Sequence, residues 1–200
     1  MSGKIILLEG ADCSGKTTIA KRLAKEFGGL YYHNPAGVTE LTQNFYNTTL
    51  KKISNEPLGI TRLLQIAGNA MNARQMNQLR DQGKLIISDR HILSTLVYHV
   101  MEYDDINAIN RIVGADAYEF DQAFLLTNSY DTLMTRIKAR DDKFDEWDQF
   151  LMDQGDRLIE RYRHHAPRVY EGIEILETDH LTLDEVYANV ADKVKQVILH

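Results

Sequence analysis

The stretch IILLEGADCSGKTT, residues 5–18, joins an apolar run to a glycine-rich turn that fits the pattern G-x-x-x-x-G-K-[ST]. The four apolar residues at its start have the length of a strand buried in a parallel sheet. Gly10 and Gly15 let the backbone turn so that successive N–H groups point at phosphate oxygens, and a following helix adds its positive N-terminal end. The stretch therefore predicts a strand, a phosphate-binding loop and a helix.

Nine consecutive residues of this loop are expected to contact ATP: Gly10, Ala11, Asp12, Cys13, Ser14, Gly15, Lys16, Thr17 and Thr18. Lys16 is expected to reach the β- and γ-phosphates and to act in catalysis, and the Thr17 hydroxyl to ligate Mg²⁺. The loop by itself predicts nucleotide binding and does not separate a kinase from another nucleotide hydrolase. A GTPase is disfavoured because the chain lacks an Asn/Thr-Lys-x-Asp motif that would bind guanine.

Short apolar runs alternate with helical patterns along the rest of the chain. Runs at 30–32, 85–87, 123–126 and 173–176 have strand length. Apolar residues at helical spacing follow the first strand and recur near the C-terminus behind Thr182, a plausible N-cap. The alternation predicts a three-layer α/β fold, with a five-stranded parallel sheet, helices on both faces and one domain over residues 1–200. Ligands of such folds bind at the carboxyl ends of the strands.

Composition narrows the class of protein. The 200 residues are 44% hydrophobic and 26% charged with a net charge of −6, which is typical of a globular protein and argues against nucleic acid as a partner. A single cysteine, Cys13, excludes an internal disulfide framework and a multi-cysteine zinc site. No apolar run has the length of a signal peptide or a membrane span, so we expect a cytoplasmic location.

Three segments, in order, resemble the thymidylate kinase family over nearly the whole chain. The loop and its flanks, LEGADCSGKTT, look like the start of such a kinase, and residues 89–98 resemble the family's D-R-[YH]-x-x-S-[TN]-x-x-Y segment. Residues of about 136–148 are similar to the family's lid, R-x(3–4)-R followed by D-R-x-E, with Lys143 and Asp145 replacing the usual Arg and Glu. Glu160-Arg161-Tyr162 is a weaker match in the next helix. The resemblance implies a P-loop kinase that acts on a deoxynucleoside monophosphate.

The second matching segment supplies the acceptor site. Arg90 is expected to bind the acceptor phosphate in catalysis because a guanidinium fork suits phosphate oxygens; a surface ion pair with Asp89 is the alternative. Asp89 would hold Arg90 or a magnesium-bound water. By resemblance, Thr95 belongs to the acceptor site and Tyr98 packs under the sugar and disfavours a 2′-hydroxyl; a buried core tyrosine is the alternative. Asp12 matches the family acid that is assigned to the acceptor 3′-hydroxyl.

Positive charge for the transferring group is expected from the lid. Cys13 stands where some family members carry a basic residue, and it cannot neutralise charge. Arg136 is therefore expected to bind ATP, while Arg140 and Lys143 are expected to be catalytic cations that arrive on lid closure. A solvated, charged helix end is the alternative interpretation of this stretch.

The chain departs from the family pattern where the acceptor base would bind. The usual Arg-x-Pro is His33-Asn34-Pro35, so only Pro35 carries over to the acceptor site. On the following helix Ile66 and Ala70 take the places of the usual Phe and Arg, with Arg74 one turn further on. The acceptor is then dTMP, another deoxynucleotide or a modified pyrimidine deoxynucleotide.

Two asparagines on the same helix are further candidates for the acceptor site. Asn69 and Asn72 either present their amides to a base edge or lie on an exposed face.

The sequence thus predicts Mg²⁺-dependent transfer of the γ-phosphoryl of ATP to a deoxynucleoside monophosphate. Homodimer formation follows by family analogy. One alternative is a deoxynucleoside kinase, whose hydroxyl acceptor needs a carboxylate base; related enzymes carry Glu-Arg-Ser where this chain has Asp89-Arg90-His91. The other alternative is a non-catalytic nucleotide-binding module.

Overall fold

A computed structural model describes residues 3–55, 58–105, 107–108, 119–139 and 146–199. Its five strands form one parallel sheet in the order β2-β3-β1-β4-β5. The strands are β1 (Lys4–Glu9), β2 (Leu30–His33), β3 (Leu85–Asp89), β4 (Gln122–Thr127) and β5 (Glu174–Glu177). All five predicted strands are confirmed, because each short apolar run lies in a sheet that is covered on both faces.

Helices connect the strands. They are α1 (Lys16–Glu26), α2 (Glu40–Thr48), a 3₁₀ helix (Leu50–Asn55), α3 (Leu58–Asp81), α4 (Ile92–Tyr98), α5 (Tyr130–Lys138), α6 (Glu146–Val169) and α7 (Leu183–Leu199). The predicted N-cap of the last helix is confirmed. The Thr182 hydroxyl accepts a hydrogen bond from the Glu185 N–H at 3.3 Å, and the Glu185 carboxylate accepts one from the Thr182 N–H at 2.8 Å. This reciprocal pair satisfies backbone donors at the start of α7.

Alternate residues of the central strand face two separate hydrophobic cores. Ile6 and Leu8 pack with residues of α1 and α7, whereas Leu7 packs with residues of α3, α4 and α6. Each of these three side chains is fully buried, which contributes about 1.5–3 kcal/mol per residue. The two cores give the three layers that the sequence predicts.

The sheet order brings the ends of β1 and β3 together. Leu8 pairs with Asp89, and the Arg90 N–H donates to the Leu8 carbonyl at 2.9 Å. The loop after β1 and the segment after β3 therefore leave the same edge of the sheet side by side. Among the described residues, no helix combines the length and the apolarity that a membrane crossing needs.

Candidate active site

The loop after β1 has the backbone shape that phosphate binding requires. Gly10 has φ 147°, and a Cβ at this position would lie 2.3 Å from the Leu126 carbonyl oxygen. Gly15 has φ 89° and is the N-cap of α1. Side chains are disfavoured at both positions, so the two glycines let the loop curl over the helix N-terminus.

Lys16 is held inside this loop. Its side chain is buried, and the Nζ donates to the Ala11 carbonyl at 3.1 Å and lies 3.7 Å from Asp12 Oδ1. Burial, together with the Arg90 charge, lowers the pKa of Lys16 to about 8, although Asp12 and Asp89 oppose the shift. A cavity of about 360 Å³ opens here, lined by Asp12, Cys13, Gly15, Lys16, Thr17, Thr18 and Arg136.

Arg90 contacts the same Asp12 carboxylate that lies beside Lys16. Its Nη2 contacts Asp12 Oδ1 in an ion pair, and its Nη1 donates to Ser94 Oγ and to the Tyr162 hydroxyl, each at 3.1 Å. The guanidinium lies 5.1 Å from the Tyr98 ring centroid. Lys16 and Arg90 therefore converge on Asp12. The alternative surface ion pair between Arg90 and Asp89 does not fit, because Arg90 is directed across the cleft.

Asp12 is fixed by a second contact. The Tyr98 hydroxyl donates to Asp12 Oδ2 at 2.8 Å, and it accepts from the Asp12 N–H at 3.3 Å. Tyr98 thus reaches the edge of the site as well as packing against the core. Asp12 therefore supplies the negative charge that both Lys16 and Arg90 contact.

Asp89 faces the opposite side of the loop. Its Oδ2 accepts from Thr17 Oγ1 at 2.6 Å and from the Tyr31 hydroxyl at 2.9 Å, and lies 3.6 Å from His33 Nδ1. Burial alone would raise the pKa of Asp89. The His33 ring, the Lys16 charge and the two hydroxyls instead lower it to about 2, so the side chain is ionised at neutral pH.

Arg136 links the phosphate loop to the segment after β5. Its guanidinium donates to the Cys13 carbonyl at 3.2 Å and to the Thr178 carbonyl at 2.8 Å. It also lines a neighbouring cavity of about 270 Å³ whose wall includes Leu181, Leu183 and Val186. The other two predicted lid cations, Arg140 and Lys143, lie outside the described residues.

The asparagines predicted at the acceptor base belong to a buried amide network. Asn69 donates to the Thr95 hydroxyl at 2.7 Å and to the Gln65 carbonyl at 2.9 Å, and accepts from Asn34 Nδ2 at 2.6 Å. Asn72 donates to Asn34 Oδ1 at 2.7 Å. Both side chains are almost fully buried. The exposed-face interpretation is wrong, because both amides are buried and bonded to other side chains; contact with a base edge stays a prediction.

The other predicted acceptor residues on this side are divided between core and surface. Ile66 is buried in the core that α3 shares with α4, so it offers no face to a base. Arg74 is exposed on α3. Pro35 is half-buried, and its carbonyl accepts from Asn72 at 3.0 Å. The aromatic stack and the guanidinium of the family pattern are thus absent at Ile66 and Ala70, where the resemblance places them.

Sequence reasoning assigned no role to several side chains that hold the site. Glu9 contacts the start of the Arg90 segment, Ser94 and Tyr162 contact Arg90, and Tyr31 contacts Asp89. Glu9 carried a usable signal, since a carboxylate ends an otherwise apolar strand directly before Gly10. The others are brought together by chain crossings that no local pattern encodes.

Comparisons with known proteins agree with this architecture. The model of the AAA domain family matches residues 5–172. A probable thymidylate kinase from Methanococcus aeolicus is 26% identical over 204 residues, which cover 98% of this chain and 99% of that protein. A thymidylate kinase from Prochlorococcus marinus is 29% identical over 196 residues, covering 90% and 86%. The resemblance to thymidylate kinases is thereby confirmed.

Solved structures show the same fold. Thymidylate kinase from Candida albicans superposes with a TM-score of 0.74 at 21% identity, covering 98% of this chain and 92% of that one. The enzyme from Ehrlichia chaffeensis gives a TM-score of 0.68 at 19% identity, covering 98% and 100%. The sheet with its flanking helices is therefore the thymidylate kinase fold.

Proposed function

The chain belongs to the AAA domain family and is a homologue of thymidylate kinases, and we propose on this basis that it is a phosphotransferase. It transfers the γ-phosphoryl of ATP to a deoxynucleoside monophosphate, with dTMP or a related pyrimidine deoxynucleotide as the acceptor. The observation that carries this proposal is the convergence of Lys16 and Arg90 on the single carboxylate of Asp12.

The convergence suits a reaction between two polyanions. Lys16 belongs to the loop that holds a triphosphate, and Arg90 belongs to a different strand end, so each cation can hold one nucleotide. Two phosphate groups that meet between them would have their repulsion reduced by fixed positive charge. An acceptor phosphate is already anionic, so these residues need to position and neutralise the reactants and not to remove a proton.

Asp12 has a place in this scheme. As a loop carboxylate it keeps both cations directed at one point before nucleotides bind. An acceptor phosphate that takes over Arg90 would release Asp12 toward a sugar hydroxyl, the role that the family resemblance implies. Tyr98, which donates to the same carboxylate, would guide it there.

A magnesium ion fits the residues beside the loop. Asp89 Oδ1 is buried and has no hydrogen-bond partner among the described residues, and the low pKa keeps this carboxylate charged. Thr17 donates its proton to Asp89, so its oxygen lone pairs stay available to a cation. Oxygen donors of this kind, together with phosphate oxygens, suit Mg²⁺. When bound, the ion would supply charge neutralisation at the β- and γ-phosphates.

The proposal also includes the other residues that would bind ATP. The phosphate loop from Gly10 to Thr18 and Arg136 would hold ATP, and Arg140 and Lys143 would add charge from the lid. A single domain over residues 1–200, a cytoplasmic location and a homodimer remain predictions. Exposed apolar side chains on α3, Leu58, Ile60 and Leu63, support an interface between two copies.

A screen of acceptors tests the function. Purified protein with ATP and Mg²⁺ is given dTMP, the other deoxynucleoside monophosphates, 5-modified pyrimidine forms and thymidine, and diphosphate and ADP formation are measured. We expect dTMP or another pyrimidine monophosphate to be converted fastest. Preferential use of thymidine would establish the deoxynucleoside kinase alternative, and ATP binding without turnover on any acceptor would establish a non-catalytic module.

A further inference from the structure

Glu9 is a carboxylate in the interior of the protein with no part in the chemistry proposed above. It is the last residue of β1, and no part of it is exposed to solvent. Its Oε1 accepts from the His91 N–H at 2.8 Å, and its Oε2 accepts from the Ser94 hydroxyl at 2.6 Å. A buried carboxylate is costly unless hydrogen bonds compensate it, so these contacts explain how Glu9 is accommodated.

The contacts of Glu9 suit its ionised form. The Ser94 N–H at 3.4 Å and the Tyr170 hydroxyl at 3.5 Å also point at Oε1, so every group around the carboxylate is a donor. The pKa of Glu9 is raised above its ordinary value because burial outweighs the Ser94 hydrogen bond and the Arg90 charge, which act in the opposite direction. Glu9 therefore serves as a hydrogen-bond acceptor at the start of α4.

Ser94 transmits the orientation of Glu9 to Arg90. A hydroxyl has one hydrogen, and Ser94 gives it to Glu9, so the Ser94 lone pairs face the Arg90 Nη1 at 3.1 Å and the Tyr162 hydroxyl at 2.8 Å. Tyr162 then donates to Ser94 and accepts from the same Nη1 at 3.1 Å. The Glu9 carboxylate therefore sets the donor and the acceptor of each hydrogen bond in the series that connects Glu9, Ser94, Tyr162 and Arg90.

Glu9 also holds the backbone beside Arg90. Arg90 has φ 69°, a left-handed conformation that is strained for a residue with a long side chain. The Glu9 carboxylate binds the N–H of His91, the next residue, so it stabilises the turn that directs the guanidinium into the cleft.

We propose that Glu9 is a positioning residue that fixes the Arg90 guanidinium for the acceptor phosphate, acting through Ser94, Tyr162 and the backbone of His91. This inference rests on the proposed function, because it assigns Arg90 to the acceptor. It predicts that a change at Glu9 weakens the use of the acceptor and spares the binding of ATP, although Glu9 directly precedes the phosphate loop.

The decisive variant is Glu9→Gln, which preserves size and removes the second acceptor oxygen. If the amide nitrogen faces Ser94, the serine must turn its hydrogen toward Tyr162 or Arg90, which disturbs the acceptors of the guanidinium; if it faces His91, two N–H donors oppose each other. We expect the KM for dTMP to rise about tenfold, which is the scale of a lost hydrogen bond to a charged group. The KM for ATP should change less than about twofold, which is within the effect of substitutions without a direct role.

Asp121→Asn is the matched control. Asp121 directly precedes β4 and lies beside the start of β1, where its carboxylate accepts from the Ile5 N–H at 2.8 Å and pairs with Lys4 at 3.2 Å. The same carboxylate-to-amide change is therefore made against the same strand but at the end away from the cleft. Both KM values should stay at the wild-type level. An equal rise of the dTMP KM in this control would attribute the effect to loss of stability and overturn the inference.

A double-mutant cycle tests whether Glu9 acts through Ser94. In a Ser94→Ala background the Glu9→Gln change should raise the dTMP KM less than about threefold, since the main connecting hydroxyl is already absent. The same tenfold rise in both backgrounds would show that Glu9 acts independently of Ser94, which contradicts the proposal.

The test separates this inference from the proposed function. If the wild-type protein neither binds nor phosphorylates dTMP or any other deoxynucleoside monophosphate, the proposed function fails. The effect of Glu9 on Arg90 is then decided by solvent exchange of the Arg90 Nε–H, measured by NMR. Glu9→Gln should accelerate this exchange and Asp121→Asn should not; equal exchange in both would overturn the positioning role.

Discussion

The phosphate loop and the corner between β2 and α3 lie at the same edge of the sheet but are built differently. In the loop, Gly10 and Gly15 have the positive φ angles that suit their motif, and Lys16 is held inside the loop. In the corner, Asn34, Asn69 and Asn72 turn their amides toward one another and are buried. Polar side chains of the loop line a cavity, whereas those of the corner bond to one another inside the protein.

A motif is informative where the structure depends on local properties of the chain. A phosphate loop depends on backbone N–H groups and on the absence of two Cβ atoms, which are local properties. An amide on a helix has no fixed role until its neighbours are known, because it forms hydrogen bonds equally well with a base or with another amide. Experiments on both regions test this contrast.

The largest effect is expected in the loop. Lys16→Ala should lower kcat by about a thousandfold, because a buried charge at the transferring phosphate is removed. Lys25→Ala is the control, since Lys25 is exposed near the end of the same helix. Steady-state kinetics with circular dichroism would check both variants. Near-wild-type turnover of a folded Lys16→Ala protein would remove the loop from the mechanism.

A second effect concerns the protonation of Lys16. Its pKa of about 8 in the nucleotide-free protein means that the charge is lost as the pH rises through this value. ATP affinity measured by calorimetry should therefore weaken by up to about tenfold per pH unit above pH 8. The Lys16→Met variant should show weak binding without this dependence. A wild-type affinity that stays constant from pH 7 to about 9.5 would contradict the assigned pKa.

The free energy of unfolding should rise over the same pH range in which the affinity for ATP falls. Between about pH 8 and the ordinary lysine value of 10.5, the unfolded chain keeps the proton and the folded protein does not. The unfolded state therefore binds more protons, and the stability of the nucleotide-free protein gains a positive contribution from Lys16 as the pH rises. Urea unfolding of wild type against Lys16→Met isolates this contribution.

The third effect falls on the amide network and on stability. Asn72→Ala removes the partner of Asn34 Oδ1 and one of the two acceptors of the Tyr32 hydroxyl, so the free energy of unfolding should fall by about 2 kcal/mol. Gln78→Ala on the exposed side of the same helix should change it by less than about 0.5 kcal/mol. If Asn72→Ala instead keeps its stability and changes the preferred acceptor base, the network belongs to the site.

The smallest effect is expected at Arg74. This side chain is exposed on α3, so Arg74→Ala should change the dTMP KM by no more than about twofold. The Gln78→Ala variant serves again as the reference. A rise above about tenfold would mean that α3 moves on acceptor binding and brings Arg74 into contact, because such a loss requires a direct charged hydrogen bond.

Most of the fold followed from the sequence. Five strands, the helix behind the loop and the capped C-terminal helix were all predicted, since apolar period and cap residues are local signals. The β2–α3 corner was predicted less well. Asn69 and Asn72 were expected at a base edge or on an exposed face, and their partners in the structure, Asn34 after β2 and Thr95 of α4, come from other elements that no local pattern relates to α3.

The candidate site could be predicted only in part: its residues could be named, but most of their contacts could not. Lys16, Thr17, Asp89 and Arg90 were named from motifs, but the pairing of Arg90 with Asp12 and the contacts of Glu9 were not. Residues that lie 78 to 85 positions apart in the chain meet there. Their meeting depends on β3 lying beside β1.

The phosphate loop and the order of strands and helices could be predicted from short stretches of sequence, because both depend on residue conformations and apolar spacing. The partners of the charged and amide side chains became known only from the folded chain. Parallel pairing of β1 with β3 brings Lys16 and Arg90 to one acid, Asp12, and places Glu9 beside the Arg90 segment. A polar side chain takes its partner from whatever the packed chain brings within hydrogen-bond distance.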